Sequence, residues 1–190
     1  MRFRLTPPTL ITLLRIVAAP WIGYELARAN FKVALPALFV AGCSDWLDGY
    51  LARRFHWQSE LGEKLDPLAD KVLVATVYIC FVWRGILPWW VTAIVLGRDA
   101  LILLFALAAL ATHRARRFPP SRWGKYSTFC QLMLGGGGVI QSGWPAFLPA
   151  PTIPVAIAIT VAATVWSGLH YAWLGWRMAH ESSVAAPAPR

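Results

Sequence analysis

The stretch Ser44–Lys71, SDWLDGYLARRFHWQSELGEKLDPLADK, carries Asp45, Asp48, Asp66 and Asp70 inside or at the edges of two apolar runs. The chain has only five Asp, and the fifth, Asp99, also lies in an apolar run. A carboxylate in hydrocarbon is costly, so an Asp within a membrane span marks a functional position by default. Four gathered in one stretch repel one another and need a cationic partner.

The surrounding composition fits that setting. Of 190 residues, 57% are hydrophobic and 14% charged, whereas a soluble domain is about 25% charged and about half apolar. Apolar runs recur from Thr9 to Trp176, which reads as an all-α polytopic membrane protein. The net charge is +9. Its basic residues lie between spans rather than on a soluble face, so they read as topology signals and contacts to anionic lipid headgroups, not as a nucleic-acid surface. Cys43, Cys80 and Cys130 are dispersed in apolar surroundings and form no disulfide or zinc pattern, which predicts core residues. The first run carries Arg15 and Pro20 and is followed by further spans, so it does not read as a cleaved signal peptide.

Residues 1–8 predict an interfacial segment. A single transmembrane domain over 9–176 follows, with spans at about 9–27, 31–54, 61–83, 89–111, 127–142 and 155–176, each near the length that crosses a bilayer. Residues 177–190 read as a disordered tail. Arg15, about two turns into the first span, either snorkels to the interface or faces the bundle interior. Trp89 and Trp90 mark an interface belt. Gly135 to Gly138 permit close helix approach or local unwinding. Six spans put both termini on one side. That side receives Arg2, Arg4, Arg53, Arg54, Lys64, the basic connection from Arg114 to Lys125, and Arg177, and the opposite side has little beyond Arg28, Lys32 and Arg84. The positive-inside rule makes the first side cytoplasmic, and the four clustered carboxylates lie at that end.

The spacing has a chemical reading. Asp45 and Asp48 share a helix face with Gly49 and Ala52 alongside, and Gly62, Asp66 and Asp70 are successive four-residue steps on the next helix. Two antiparallel helices joined by a short turn would aim two carboxylate pairs at each other. Hard all-oxygen ligands of this charge suit Mg²⁺ or Mn²⁺, and four carboxylates exceed what one Mg²⁺ usually takes, which suggests two ions. Paired ions are a device for displacement at phosphorus. Arg53 is placed to pair with a phosphate oxygen, and Gly49, Ala52 and Gly62 leave room for a base or sugar.

The pattern Asp45-x2-Asp48-Gly49-x2-Ala52-Arg53-x8-Gly62-x3-Asp66-x3-Asp70 resembles, at every fixed position, the signature of the CDP-alcohol phosphatidyltransferase family. Pro8 to Pro20, LDPLADK, Arg98-Asp99 and Gly124-Lys125 with Ser127-Thr128 extend the likeness; past about Gln141 it adds nothing. The resemblance implies six transmembrane helices around a cytoplasm-facing polar cavity, a homodimer, and attack of an alcohol on the β-phosphorus of a CDP-lipid with release of CMP. Carried over, Asp45, Asp48, Asp66 and Asp70 hold the metals, and Asp70 also takes the acceptor's proton. Asp48, Gly49, Ala52, Arg53 and Gly62 form the CDP-lipid pocket. The branch it is most similar to contains phosphatidylglycerophosphate synthases and cardiolipin synthases of eukaryotic type, both using CDP-diacylglycerol in a membrane, here a bacterial inner membrane. Glycerol 3-phosphate is the expected acceptor, with Arg98, Arg122 and Lys125 as candidate binders; phosphatidylglycerol is the alternative. Arg98-Asp99 has a second reading as a structural ion pair.

A divalent-cation transporter is the rival from another class. It needs carboxylates near mid-bilayer and a polar path beyond them, yet Val33 to Ala41 and Val72 to Val82 are almost wholly apolar. A catalytically silent membrane scaffold is a third reading, against which the complete motif argues.

Overall fold

The computed structural model describes residues 7–55, 60–111 and 121–184; within them, the side chains of 7–9, 45–53, 55, 60–67, 106–111 and 178–184 lie outside the described residues. All regular structure is helical: α1 Pro7–Ala27, α2 Phe31–Phe55, α3 Glu60–Trp83, α4 Trp89–Ala111, α5 Arg122–Gly143 and α6 Thr152–Val184. Pro7 and Pro8 fall in the first turn of α1, where a missing N–H costs nothing.

The turns explain the boundaries. After α3 the N–H groups of Gly85 and Ile86 donate to the carbonyls of Val82 and Phe81, closing the helix with a left-handed glycine. Helix α5 starts at Arg122, five residues before the expected span, because Ser121 caps it: its hydroxyl accepts from Trp123 N–H at 3.2 Å, directly after Pro119-Pro120. Helix α6 runs to Val184, so residues 177–184 are helical rather than part of a disordered tail, and 185–190 lie outside the described residues.

Helix α3 is the centre of the bundle. It packs most extensively on α1 and also touches α4 and α5, while α5 and α6 form a second close pair. Its Ala69, Leu73, Val74, Val77, Tyr78 and Phe81 are buried at helical spacing and form a continuous stripe. Around it sit Ile22 and Leu26 of α1, Val91 and Val95 of α4, and Leu134 and Val139 of α5. The glycine run in α5 stays helical and serves close approach, not unwinding: a Cβ on Gly138 would lie 2.6 Å from the Phe81 ring. Cys80 and Cys130 are buried as expected, but Cys43 is exposed.

Among the described residues, Leu10–Ala27 and Thr152–Arg177 are long and apolar enough to cross a membrane, and Phe31–Ser44 is a shorter apolar stretch. The 22-residue α5 extends about 33 Å at helical rise. The outer surface is rich in exposed large apolar side chains, among them Leu14, Val17, Phe39, Leu104, Phe129, Trp166 and Leu169. Several buried polar groups are paired between helices. Tyr78 Oη donates to the Gln131 carbonyl at 2.9 Å, Thr160 Oγ1 to the Cys130 carbonyl at 3.2 Å, and the hydroxyls of Ser127 and Thr164 meet at 3.1 Å. Such bonds join α3 to α5 and α5 to α6.

Gly138→Ala is expected to lower stability by about 1–3 kcal/mol through overpacking against Phe81. Thermal unfolding in detergent checks this, with Phe81→Leu recovering part of the loss in the double variant.

Candidate functional site

Helices α2 and α3 carry the motif. Asp45 and Asp48 lie in the second half of α2, and Asp66 and Asp70 in the first half of α3. The side chains of Asp45, Asp48, Gly49, Ala52, Arg53, Gly62 and Asp66 lie outside the described residues, so Asp70 is the motif carboxylate whose surroundings are visible. No cluster of three or more His, Cys, Asp or Glu occurs among the described residues.

Asp70 is half-exposed and held from one side. Arg15 of α1 donates from Nη1 to Asp70 Oδ1 at 3.0 Å, with the Arg15 side chain only 2% exposed. This decides between the two readings of Arg15: it faces the bundle interior. A guanidinium enclosed by helices needs a carboxylate beside it, and the charge also offsets the repulsion expected among clustered Asp side chains.

Lys71 follows directly, about 100° further round α3, and turns toward α4. Its Nζ lies 2.7 Å from Asp99 Oδ1, and Arg98 Nη1 lies 2.7 Å from the same oxygen. Arg98 is spent on further contacts. Nε and Nη2 donate to Ser167 Oγ of α6 at 3.2 and 2.8 Å, and Nη2 to the Gly124 carbonyl of α5 at 3.1 Å. The guanidinium fork therefore ties α4 to α5 and α6, which is the structural ion-pair reading. Tyr171 Oη accepts from the Ser121 backbone N–H at 3.0 Å, and a Cβ on Gly124 would come within 2.9 Å of that oxygen. Only a residue without a side chain lets α5 enter this close to Arg98 and Tyr171.

Of the three basic residues expected to bind the acceptor, Arg98 is thus buried and saturated, whereas Arg122 and Lys125 are exposed on the first turn of α5. They do not form one enclosed cluster with it. Sequence reasoning passed over Lys71, Ser167 and Tyr171. Arg98, adjacent in the chain, supplies one cation to Asp99, and no spacing in the chain signals the second.

The family described as CDP-alcohol phosphatidyltransferase matches residues 5–173, well past Gln141, where the motif-based likeness faded. The chain is 33% identical over 187 residues to "Cardiolipin synthase (CMP-forming)" of Rattus norvegicus, covering 87% of this chain and 61% of the relative. It is 34% identical over 160 residues to the protein of the same name in Streptomyces coelicolor, covering 77% of this chain and 71% of that one. With "Probable phosphatidylglycerophosphate synthase" of Mycobacterium tuberculosis it shares 33% over 168 residues, or 85% of this chain and 78% of the relative. The chain spans about three fifths of the length of the rat and human relatives it matches. The chain belongs to the CDP-alcohol phosphatidyltransferase family.

Arg15→Met and Asp70→Asn are expected to be non-additive in thermal stability. The Arg15–Asp70 coupling should be about 1–2 kcal/mol, at the low end for a charged hydrogen bond because Asp70 keeps contact with solvent. A double-mutant cycle in detergent measures it.

Proposed function

We propose that this chain transfers the phosphatidyl group of CDP-diacylglycerol to a glycerol-type alcohol and releases CMP. The observation that carries the reading is the complete carboxylate motif in the second half of α2 and the first half of α3, with Asp70 braced by a buried Arg15. In this reading all six helices span a bacterial inner membrane around a polar cavity. Both termini and the site face the cytoplasm, and the protein is a homodimer. The exposed apolar surface and the basic connections support the membrane placement.

The donor set fits the implied cations: carboxylates on two consecutive helices, at three- and four-residue spacings, are hard oxygen ligands. Asp45, Asp48, Asp66 and Asp70 would hold two Mg²⁺ or Mn²⁺, which neutralise the pyrophosphate and polarise the phosphorus under attack. Gly49, Ala52 and Arg53 of α2 and Gly62 of α3 would seat the CDP moiety, Asp48 flanking it. Asp70 takes the proton from the acceptor hydroxyl. The hydroxyl oxygen bonds to the β-phosphorus, the bond from that phosphorus to the bridging oxygen breaks, and CMP leaves with that oxygen.

Glycerol 3-phosphate is the acceptor we favour, with the exposed Arg122 and Lys125 available to its phosphate. Phosphatidylglycerol is the second reading, favoured by the relatives named cardiolipin synthase.

Release of CMP by the purified protein with CDP-diacylglycerol and Mg²⁺ or Mn²⁺ tests this, one acceptor at a time. Turnover with glycerol 3-phosphate alone supports our choice; turnover with phosphatidylglycerol alone replaces it. Asp70→Asn is expected to reduce turnover at least a thousand-fold while CDP-diacylglycerol still binds. Exhaustive chelation is expected to abolish turnover and metal return to restore it. Full activity after chelation would exclude the two-metal chemistry.

A further inference from the structure

We propose that Lys71 is the anion-binding residue for the acceptor's phosphate, held in place by the buried carboxylate of Asp99. The inference rests on the transferase reading and assigns a specificity residue within it. Its basis is a charge imbalance. Lys71, Asp99 and Arg98 form one cluster in which a single carboxylate oxygen faces two cations, each at 2.7 Å. Asp99 neutralises one of them. Arg98 also has neutral acceptors, Ser167 Oγ and the Gly124 carbonyl, but no second carboxylate among its described contacts. The cluster therefore keeps one net positive charge.

Access locates that excess charge. The side chains of Arg98 and Asp99 are 5% and 7% exposed, whereas that of Lys71 is 27% exposed. An ammonium has three N–H groups in a compact head, so Lys71 can keep Asp99 and still donate to a ligand. A guanidinium already divided among three helices cannot. Asp99 Oδ2 is buried without a hydrogen-bond partner. A buried charged oxygen left so is costly, and a donor brought by a polyol would satisfy it.

Position supplies the function. Lys71 is the residue after Asp70, so an anion on its ammonium lies one helical residue from the carboxylate that receives the acceptor's proton. A glycerol bearing a phosphate has its reacting hydroxyl a few bonds from that phosphate. An anchor for one that is adjacent to a base for the other places both on one molecule. The same chemistry is offered by a free phosphomonoester, glycerol 3-phosphate, and by a lipid phosphodiester, phosphatidylglycerol.

The test uses full-length protein in detergent with Mg²⁺. Binding of glycerol 3-phosphate, and separately of phosphatidylglycerol in mixed micelles, is titrated by tryptophan fluorescence alongside CMP-release kinetics. Lys71→Met, which keeps the length and loses the charge, is expected to weaken binding of the true acceptor at least ten-fold. Its KM should rise by a similar factor, with kcat changed less than about three-fold and the KM for CDP-diacylglycerol unchanged. Lys71→Arg should recover most of the affinity. The arm that responds identifies the source of the phosphate. Unchanged acceptor affinity in Lys71→Met overturns the proposal, as does wild-type protein that binds neither probe. A fall in kcat at constant KM also overturns it and makes Lys71 a brace for Asp70, and so does failure of both Lys71→Met and Lys71→Gln to fold. Lysine-dependent binding without CMP release would retain the anion site and reject the transferase reading.

Discussion

Charge buried in an apolar helix bundle is the constraint on which the rest of this structure depends. Asp99 is enclosed, and an isolated carboxylate there would be prohibitively expensive. Its Oδ1 draws Lys71 from α3 and Arg98 from its own helix, and Arg98 then reaches α5 and α6. On the neighbouring face of α3, Arg15 reaches across from α1 to Asp70. Two consecutive residues of one helix, about 100° apart around its axis, thus join a belt of charge that links α1, α3, α4, α5 and α6. The apolar stripe of α3 from Leu73 to Phe81 makes the helix central, but that stripe alone would allow it to rotate or slide. The ionic contacts on both sides select one rotation.

The same arrangement suits the chemistry proposed above. There, a carboxylate that binds metal and accepts a proton has to be kept in place without being sealed off. Asp70 meets both needs, since its partner Arg15 is buried while it remains half-exposed. Arg98 is specialised in the opposite direction. Its planar fork makes several directional bonds at once, which suits a joint between helices better than a site that a substrate must enter and leave. Lys71 and Arg98 share one carboxylate oxygen but differ in exposure, 27% against 5%.

Much of this was legible in the chain. Apolar run length predicted all six helices, and α4 begins and ends where the hydropathy does. The misplaced boundaries have local causes. Ser121 after a Pro-Pro pair is a capping signal that outweighed the polar character of Arg122 to Tyr126, and α6 continues because nothing after Trp176 breaks a helix before Pro187. Cys43 followed the general burial of cysteine in expectation and is exposed in fact, because it falls on the outer face of α2, where large apolar side chains such as Phe39 and Val40 are exposed as well.

By itself the sequence determined the class. Hydrophobic length, the one-sided spacing of Asp45, Asp48, Asp66 and Asp70, and the family motif are properties of residues near one another in the chain, and helical periodicity converts them directly into faces. Only the tertiary structure decided who neutralises whom. Arg15 and Asp70 are 55 residues apart, and Arg98 and Ser167 are 69 apart. Which cation meets which carboxylate depends on how each helix is rotated against its neighbours. That rotation is settled by contacts across the bundle, the ion pairs of α3 together with packing such as Phe81 against Gly138, and no period within a single helix encodes it.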